Sequence, residues 1–237
     1  MFKTIFCLSF WLIFFTSYTA TASASHQVDA IEAALSDTVG DQVASRLSED
    51  LSEEDRAYAY FLLAVYKHDP AARQRAETIY KQLNTPDSEA FLGSLEMLQA
   101  RDWQGGFFQG IFKRKGWVEE GIEKVDGAAK AHPDNPQVHI VRAIDYLRLP
   151  PLFGKFDEGL ADMEQVIRWM EEGKIQVPSE ERFFRDRSSL YYYAGQYYVK
   201  MNRNAKAKEM FSKASAAAFQ SPFAVASRKR IAALSLS

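Results

Sequence analysis

The stretch Tyr191–Ala214, YYYAGQYYVKMNRNAKAKEMFSKA, decides how this chain folds. It reads as two helices with a short turn between them. Small Ala194 and Gly195 lie in the first helix, followed by Tyr198; Ala207, Phe211 and Ala214 lie in the second, at spacings of four and three. Residues three and four apart share one face of a helix, so Ala207, Phe211 and Ala214 form a single seam. Gly195 carries no Cβ, and that lets the second helix pack close against the first.

The same arithmetic recurs upstream. Ala64 is followed twelve residues later by Ala76, then by Tyr80 and Leu83 at plus four and plus seven. Gly93 pairs with Gly121, Val125 and Ala128 after sixteen extra residues, and Ala143 pairs with Gly159, Met163 and Val166 after four. Between these copies sits the loop His132-Pro133-Asp134-Asn135-Pro136. Nothing reads as strand: apolar/polar alternation is absent and helical spacing recurs throughout. Ser52-x-x-Asp55 resembles a capping box, and Asp69-Pro70, Thr85-Pro86 and Ser221-Pro222 each place a side-chain acceptor before a first-turn proline. Val28–Leu35 and Val39–Leu47 are expected as two short helices ahead of these.

The four copies resemble the tetratricopeptide repeat (TPR), a helix–turn–helix unit of about 34 residues. The family's position four is often Trp; here Tyr60, Glu89, His139 and Tyr191 occupy it. The resemblance implies an all-α fold of antiparallel helix pairs stacked as a short right-handed superhelix. One pair cannot bury its apolar face alone, so several must stack between atypical ends. The expected organisation is one domain over residues 25–237: an N-terminal cap at 25–51, repeats over 52–219 with insertions at 102–116 and 149–154, and a capping helix at 222–235 that buries Phe223, Val225, Ile231 and Leu234.

Residues 1–24 read as a leader rather than as fold. Lys3 gives a positive start, Ile5–Phe15 is an apolar run, and Ala20, Ala22 and Ala24 stand at A-x-A spacing, the pattern of a secretory signal peptide. The apolar run is short of the roughly 20 residues a spanning helix needs, so no membrane span is expected after cleavage. Export places the protein outside the cytoplasm, with the bacterial periplasm as the expected compartment. Cys7 is the sole cysteine and lies within this leader.

The remaining chain holds 28 basic and 31 acidic residues, for a net charge of −3. That balance points away from nucleic acid. The charge is segregated, however. Gln27–Ala57 has nine acids and two bases, and Met201–Ser237 has seven bases and one acid. Solvated faces or docking between oppositely charged surfaces both account for this.

Two insertions interrupt the repeats. Trp103–Gly116, WQGGFFQGIFKRKG, is read either as a short helix over Phe107–Phe112 whose aromatics fill a packing gap, or as an aromatic flap over a groove or a membrane-touching loop. Leu149-Pro150-Pro151-Leu152-Phe153-Gly154 must end a helix at its prolines, with its Leu and Phe side chains expected in the core. Gly173–Ser179 reads as a loop.

No catalytic, metal or cofactor site is expected. His26, His68, His132 and His139 lack metal-ligand spacing. Ser188 and Ser189 have no indicated general base. The resemblance puts Tyr192, at position five, on the concave side, together with Gln196 and Lys200. Ile140, Ile144, Phe61 and Val65 take equivalent places in other copies. Such a strip with polar edges suits a protein or peptide partner in the cell envelope; the alternatives are a groove filled by the chain's own terminal helices, and a small-molecule or lipid-binding accessory. Arg142 occupies position seven, normally apolar, and is expected to form a structural ion pair with Asp145 and Asp162 or to clamp a ligand carboxylate.

Overall fold

The computed structural model describes residues 6–105, 107–177 and 183–235, with the backbone alone for residues 6–25 and 107–109. Ten α-helices occur among the described residues: α1 (Phe6–Arg46), α2 (Glu53–Tyr66), α3 (Pro70–Leu83), α4 (Pro86–Arg101), α5 (Phe107–Ala131), α6 (Pro136–Arg148), α7 (Phe156–Glu171), α8 (Arg187–Lys200), α9 (Asn204–Ala217) and α10 (Pro222–Ala233). No strand occurs among them.

The helices pack as consecutive antiparallel pairs: α2 with α3, α4 with α5, α6 with α7, and α8 with α9. Each pair is joined where the small and apolar residues of a repeat copy meet. A Cβ on Gly195 would lie 2.6 Å from Cε1 of Phe211, and one on Gly93 would lie 2.7 Å from the Gly121 carbonyl oxygen. Ala64, Ala76 and Tyr80 are buried in the first pair, and Ala143, Met163 and Val166 in the third. Each pair then leans on the next, α2 on α4, α4 on α6 and α6 on α8.

The ends do more than cap. Helix α1 packs on both α2 and α10, while α10 covers α8 and α9. The stack therefore curls until its first and last inner helices meet. The Tyr66 and Tyr193 hydroxyls are 2.7 Å apart, and Arg185, just before α8, reaches Asp55 of α2 at 2.9 Å. One apolar core accordingly runs through α1, α2, α6, α7, α8, α9 and α10. A second centres on Phe91, whose ring stacks on Tyr80 at 4.7 Å.

Local signals explain the helix ends. Ser52 accepts from the Asp55 amide at 3.1 Å, Asp69 from Ala71 and Ala72 at 2.8 and 3.1 Å, and Asn135 from Gln137 at 2.9 Å. Ser221 departs from this pattern: its hydroxyl is buried without a partner among the described residues, and Pro222 stands at the start of α10 with no side-chain cap. Gly173, at φ +72°, ends α7. The Lys174 amide bonds back to Trp169 O (2.8 Å) and the Gly173 amide to Met170 O (3.2 Å), the paired bonds of a Schellman motif.

Several expectations need correction. Val28–Leu35 and Val39–Leu47 are one helix, because the seam of Ile31, Leu35, Val39 and Val43 keeps a spacing of four across Gly40 and stays buried throughout. In the insertion at 149–154 the chain makes a single 3₁₀ turn at Pro151–Phe153, and Leu152 is 76 % exposed. The paired prolines turn that side chain outward. On α10, Val225 is exposed and Arg230 buried; α10 is covered from two sides, by α8–α9 and by α1, which rotates its buried face toward Arg230.

The insertion at 102–116 extends α5 by several turns instead of forming a separate helix. Trp103 and Trp117 meet edge to face at 5.5 Å, with the Lys113 ammonium above both rings. Phe112 is 82 % exposed and fills no gap. Phe107 and Phe108 side chains lie outside the described residues. No helix among the described residues is long and apolar enough to cross a membrane.

Candidate binding site

The curl leaves a cavity of about 310 Å³ between α2, α6 and α8. Phe61 and Val65 of α2, Ile140 and Ile144 of α6, and Leu190 of α8 supply its apolar wall, and Phe223 of α10 closes one side. The connection from α7 to α8 borders it through Ile175, Val177 and Phe184. Arg148 stands at the C-terminal end of α6 with Tyr66 and Tyr193. Four of the expected strip residues, Phe61, Val65, Ile140 and Ile144, thus face one space.

The other three do not. Tyr192 is fully buried, and its hydroxyl donates to Glu32 of α1. Gln196 donates to the same carboxylate at 3.4 Å, and Arg230 of α10 pairs with it at 3.0 Å. Lys200 donates to the Leu147 carbonyl. Helices α1 and α10 cover this face of α8, so Tyr192 and Gln196 hold the terminal helices in place, and Lys200 ties α8 to the end of α6, instead of lining a groove. Glu32 was not singled out from the sequence. The signal for it was the ring of tyrosines on α8, since a helix apolar on every side must be covered on every side.

Arg142 sits in a separate network that ties α5, α6 and α7 together. Its Nε and Nη2 donate to the Asp162 oxygens at 2.5 and 2.9 Å, and its Nη1 to Asp126 at 3.1 Å. Asp126 also accepts from Tyr146 at 2.7 Å and from Lys155 at 2.9 Å. His139 completes the network: Nδ1 is 2.7 Å from Asp162 and Nε2 is 2.8 Å from the Pro133 carbonyl. Both partners only accept, so the doubly protonated imidazolium satisfies both bonds. The Asp162 hydrogen bond, opposed by burial, raises the His139 pKa. Burial by itself would raise the Asp162 pKa; the Arg142 and His139 bonds outweigh it and hold the carboxylate below its ordinary value.

Asp145 is not a member of this network. It points toward α4, where Ser94 donates to it. Burial pushes its pKa up to about 7, against the lowering effects of Ser94 and Arg148. Although it stands only three residues along α6 from Arg142, its carboxylate is directed to α4 and not to α7.

The hydroxyls near the tyrosine ring are spent on structure. Ser188 donates to Ala214 O and Ser189 to Asp186 O, both at 2.8 Å. No group of three or more His, Cys, Asp or Glu among the described residues is arranged to hold a metal ion.

No family model matches the chain, and no curated protein matches it. The crystal structure of a thermophilic TPR protein from Thermus thermophilus is similar, with a TM-score of 0.51 and 19% sequence identity over 82% of this chain and 88% of that one. The likeness is one of fold. Together with the stacked helix pairs it makes this an all-α, TPR-like protein.

Proposed function

We propose that this chain is a non-enzymatic interaction module of the cell envelope, acting outside the cytoplasm and in the bacterial periplasm, which receives a protein or peptide partner on its concave side. TPR-like folds are suited to protein partners because stacked pairs present a continuous inner surface. The observation that carries the reading is the cavity whose wall joins Phe61, Ile140 and Ile144 from separate helices. The leader grammar of residues 1–24 supports the location.

A photocrosslinking residue at Ile144 tests this reading. It should capture one polypeptide from envelope extracts, while the same residue at exposed Phe219 captures none, and Ile144→Asp should abolish recovery in affinity capture. Equal capture at both positions would overturn it. For the location, the N-terminus of protein recovered from the periplasmic fraction should be Ser25; protein that starts at Met1 in the cytoplasm would refute export.

A second reading, a small-molecule or lipid-binding accessory protein, is favoured by one specific feature. The cavity combines its hydrocarbon wall with a cationic, hydroxyl-bearing end at Arg148, Tyr66 and Tyr193. A few convergent polar groups in an apolar pocket are the ordinary make-up of a small-ligand site.

A further inference from the structure

The Arg148 end of the cavity, where the guanidinium is exposed, has more hydrogen-bond donors than the described residues accept. The Arg148 guanidinium lies 5.9 Å from the centre of the Tyr66 ring and 5.7 Å from that of Tyr193, and its Nη2 donates to the Tyr193 hydroxyl at 3.3 Å. Among the described residues no carboxylate comes within ion-pair distance of it, although Arg142, two turns earlier on the same helix, has two. Asp145, the nearest acid along α6, is directed at Ser94. Lys200 adds to the imbalance: burial and the charge of Arg148 hold its ammonium below the ordinary lysine pKa.

The hydroxyls point the same way. Tyr66 and Tyr193 form one O–H···O bond with each other. Two phenols bring two protons, and that bond uses one. Whichever hydroxyl donates, one O–H is left without an acceptor among the described residues. Among the described residues Arg148, for its part, meets tyrosine hydroxyls alone and keeps N–H groups to spare. Arg148 is exposed, so its spare N–H groups stand open to a ligand, and one that brings acceptors and negative charge gains most here.

Size narrows the class. The cavity's volume is about 310 Å³. The space suits a small molecule, at the lower end of the roughly 300–1,000 Å³ of small-ligand sites.

We propose that this cavity binds a small amphipathic carboxylate, its head on Arg148 and the Tyr66 and Tyr193 hydroxyls and its hydrocarbon body along Phe61, Ile140 and Ile144. The planar guanidinium fork matches a carboxylate in two-point contact. This inference rests on the second reading above, that the cavity holds a small molecule.

Calorimetric titration of the purified protein with octanoate, 1-octanol and octylammonium separates the two. Octanoate should bind saturably at one site, about tenfold or more tighter than 1-octanol, as a hydrogen-bonded charge pair warrants; octylammonium should not bind. Arg148→Met should erase the preference for the acid over the alcohol, and Arg148→Lys should retain most of it. Ile144→Trp, which fills the cavity, should abolish both. If Arg148→Met fails to fold, the ligand series on the unaltered protein and on Arg148→Lys still decides the matter. Equal binding of octanoate and 1-octanol would overturn the carboxylate assignment and leave the small-molecule reading standing. If none of the three binds, both fall.

Discussion

Arg142 holds Asp162 by two nitrogens, with Nε at 2.5 Å from one carboxylate oxygen and Nη2 at 2.9 Å from the other. The pair bridges α6 and α7, and the Asp162 side chain is nearly inaccessible. Removing one member of such a pair strands the other in a low-dielectric site, at about 3–5 kcal/mol. Arg142→Met should therefore lower the melting temperature by on the order of 10 °C for a chain of this length, followed by circular dichroism. An unchanged melting temperature in Arg142→Met would mean that the guanidinium has no structural role.

His139 makes stability depend on pH. Its pKa is raised in the folded state, above an unfolded value of about 6.5. The folded protein thus holds the proton more tightly. This contribution is complete below pH of about 6.5 and disappears as pH rises through the folded value. The urea midpoint should fall from about pH 6 to about pH 9, and His139→Gln should flatten that decline. A slope identical in the variant would assign the effect to other groups.

Asp145 acts over a lower window with the same sign. Its folded pKa of about 7 lies above the unfolded value of about 3.9. Stability from this group is full below about pH 4 and has been lost by the time pH passes 7. Asp145→Asn keeps an acceptor for Ser94 and removes the charge. At pH 8 it should stabilise the protein by on the order of 1–2 kcal/mol, a figure reduced from the full shift because the side chain is only partly buried. At pH 4 the two proteins should have equal denaturation midpoints.

Gly195 lies so close to Phe211 that a methyl group cannot enter without moving the ring. Gly195→Ala gains up to about 1 kcal/mol in helix propensity and loses about 1–3 kcal/mol to overpacking. A net loss in chemical denaturation is expected, largely relieved by adding Phe211→Leu. Stabilisation by the single change would show that α8 and α9 are not packed this closely.

Glu32 joins α1 to α8 and α10 through Tyr192, Gln196 and Arg230. Arg230 is 6 % exposed, so Glu32→Ala leaves a buried cation without its carboxylate. Amide exchange over residues 26–46 should then quicken at least about tenfold, as a local loss of over 1 kcal/mol requires. The α4–α5 pair, remote from this contact, should be unaffected. Uniform quickening across the chain would instead indicate global destabilisation.

The helix pairs were legible from sequence because their determinants are local. Gly195 and Phe211 sit sixteen residues apart in one unit, and their spacing records which faces touch. The caps at Ser52, Asp69 and Thr85 were equally legible, each reaching only two or three residues along the chain, whereas Ser221 before Pro222 makes no such bond. Tyr192 shows where that kind of reading ends. Its place in the repeat directs it toward a concave surface, and within the α8–α9 pair nothing contradicts this. What buries it is Glu32, 160 residues away.

By itself the sequence determined that the chain is all helix, where its helices pair and which residues form each seam, since periodicity and capping act within one or two turns. Only the tertiary structure decided that the stack curls until Tyr66 meets Tyr193 across 127 residues, that α1 and α10 cover one face of α8, and that the remaining space ends at Arg148. Those outcomes depend on crossing angles accumulated over four helix pairs, and an accumulated angle leaves no periodic mark in the residues that produce it.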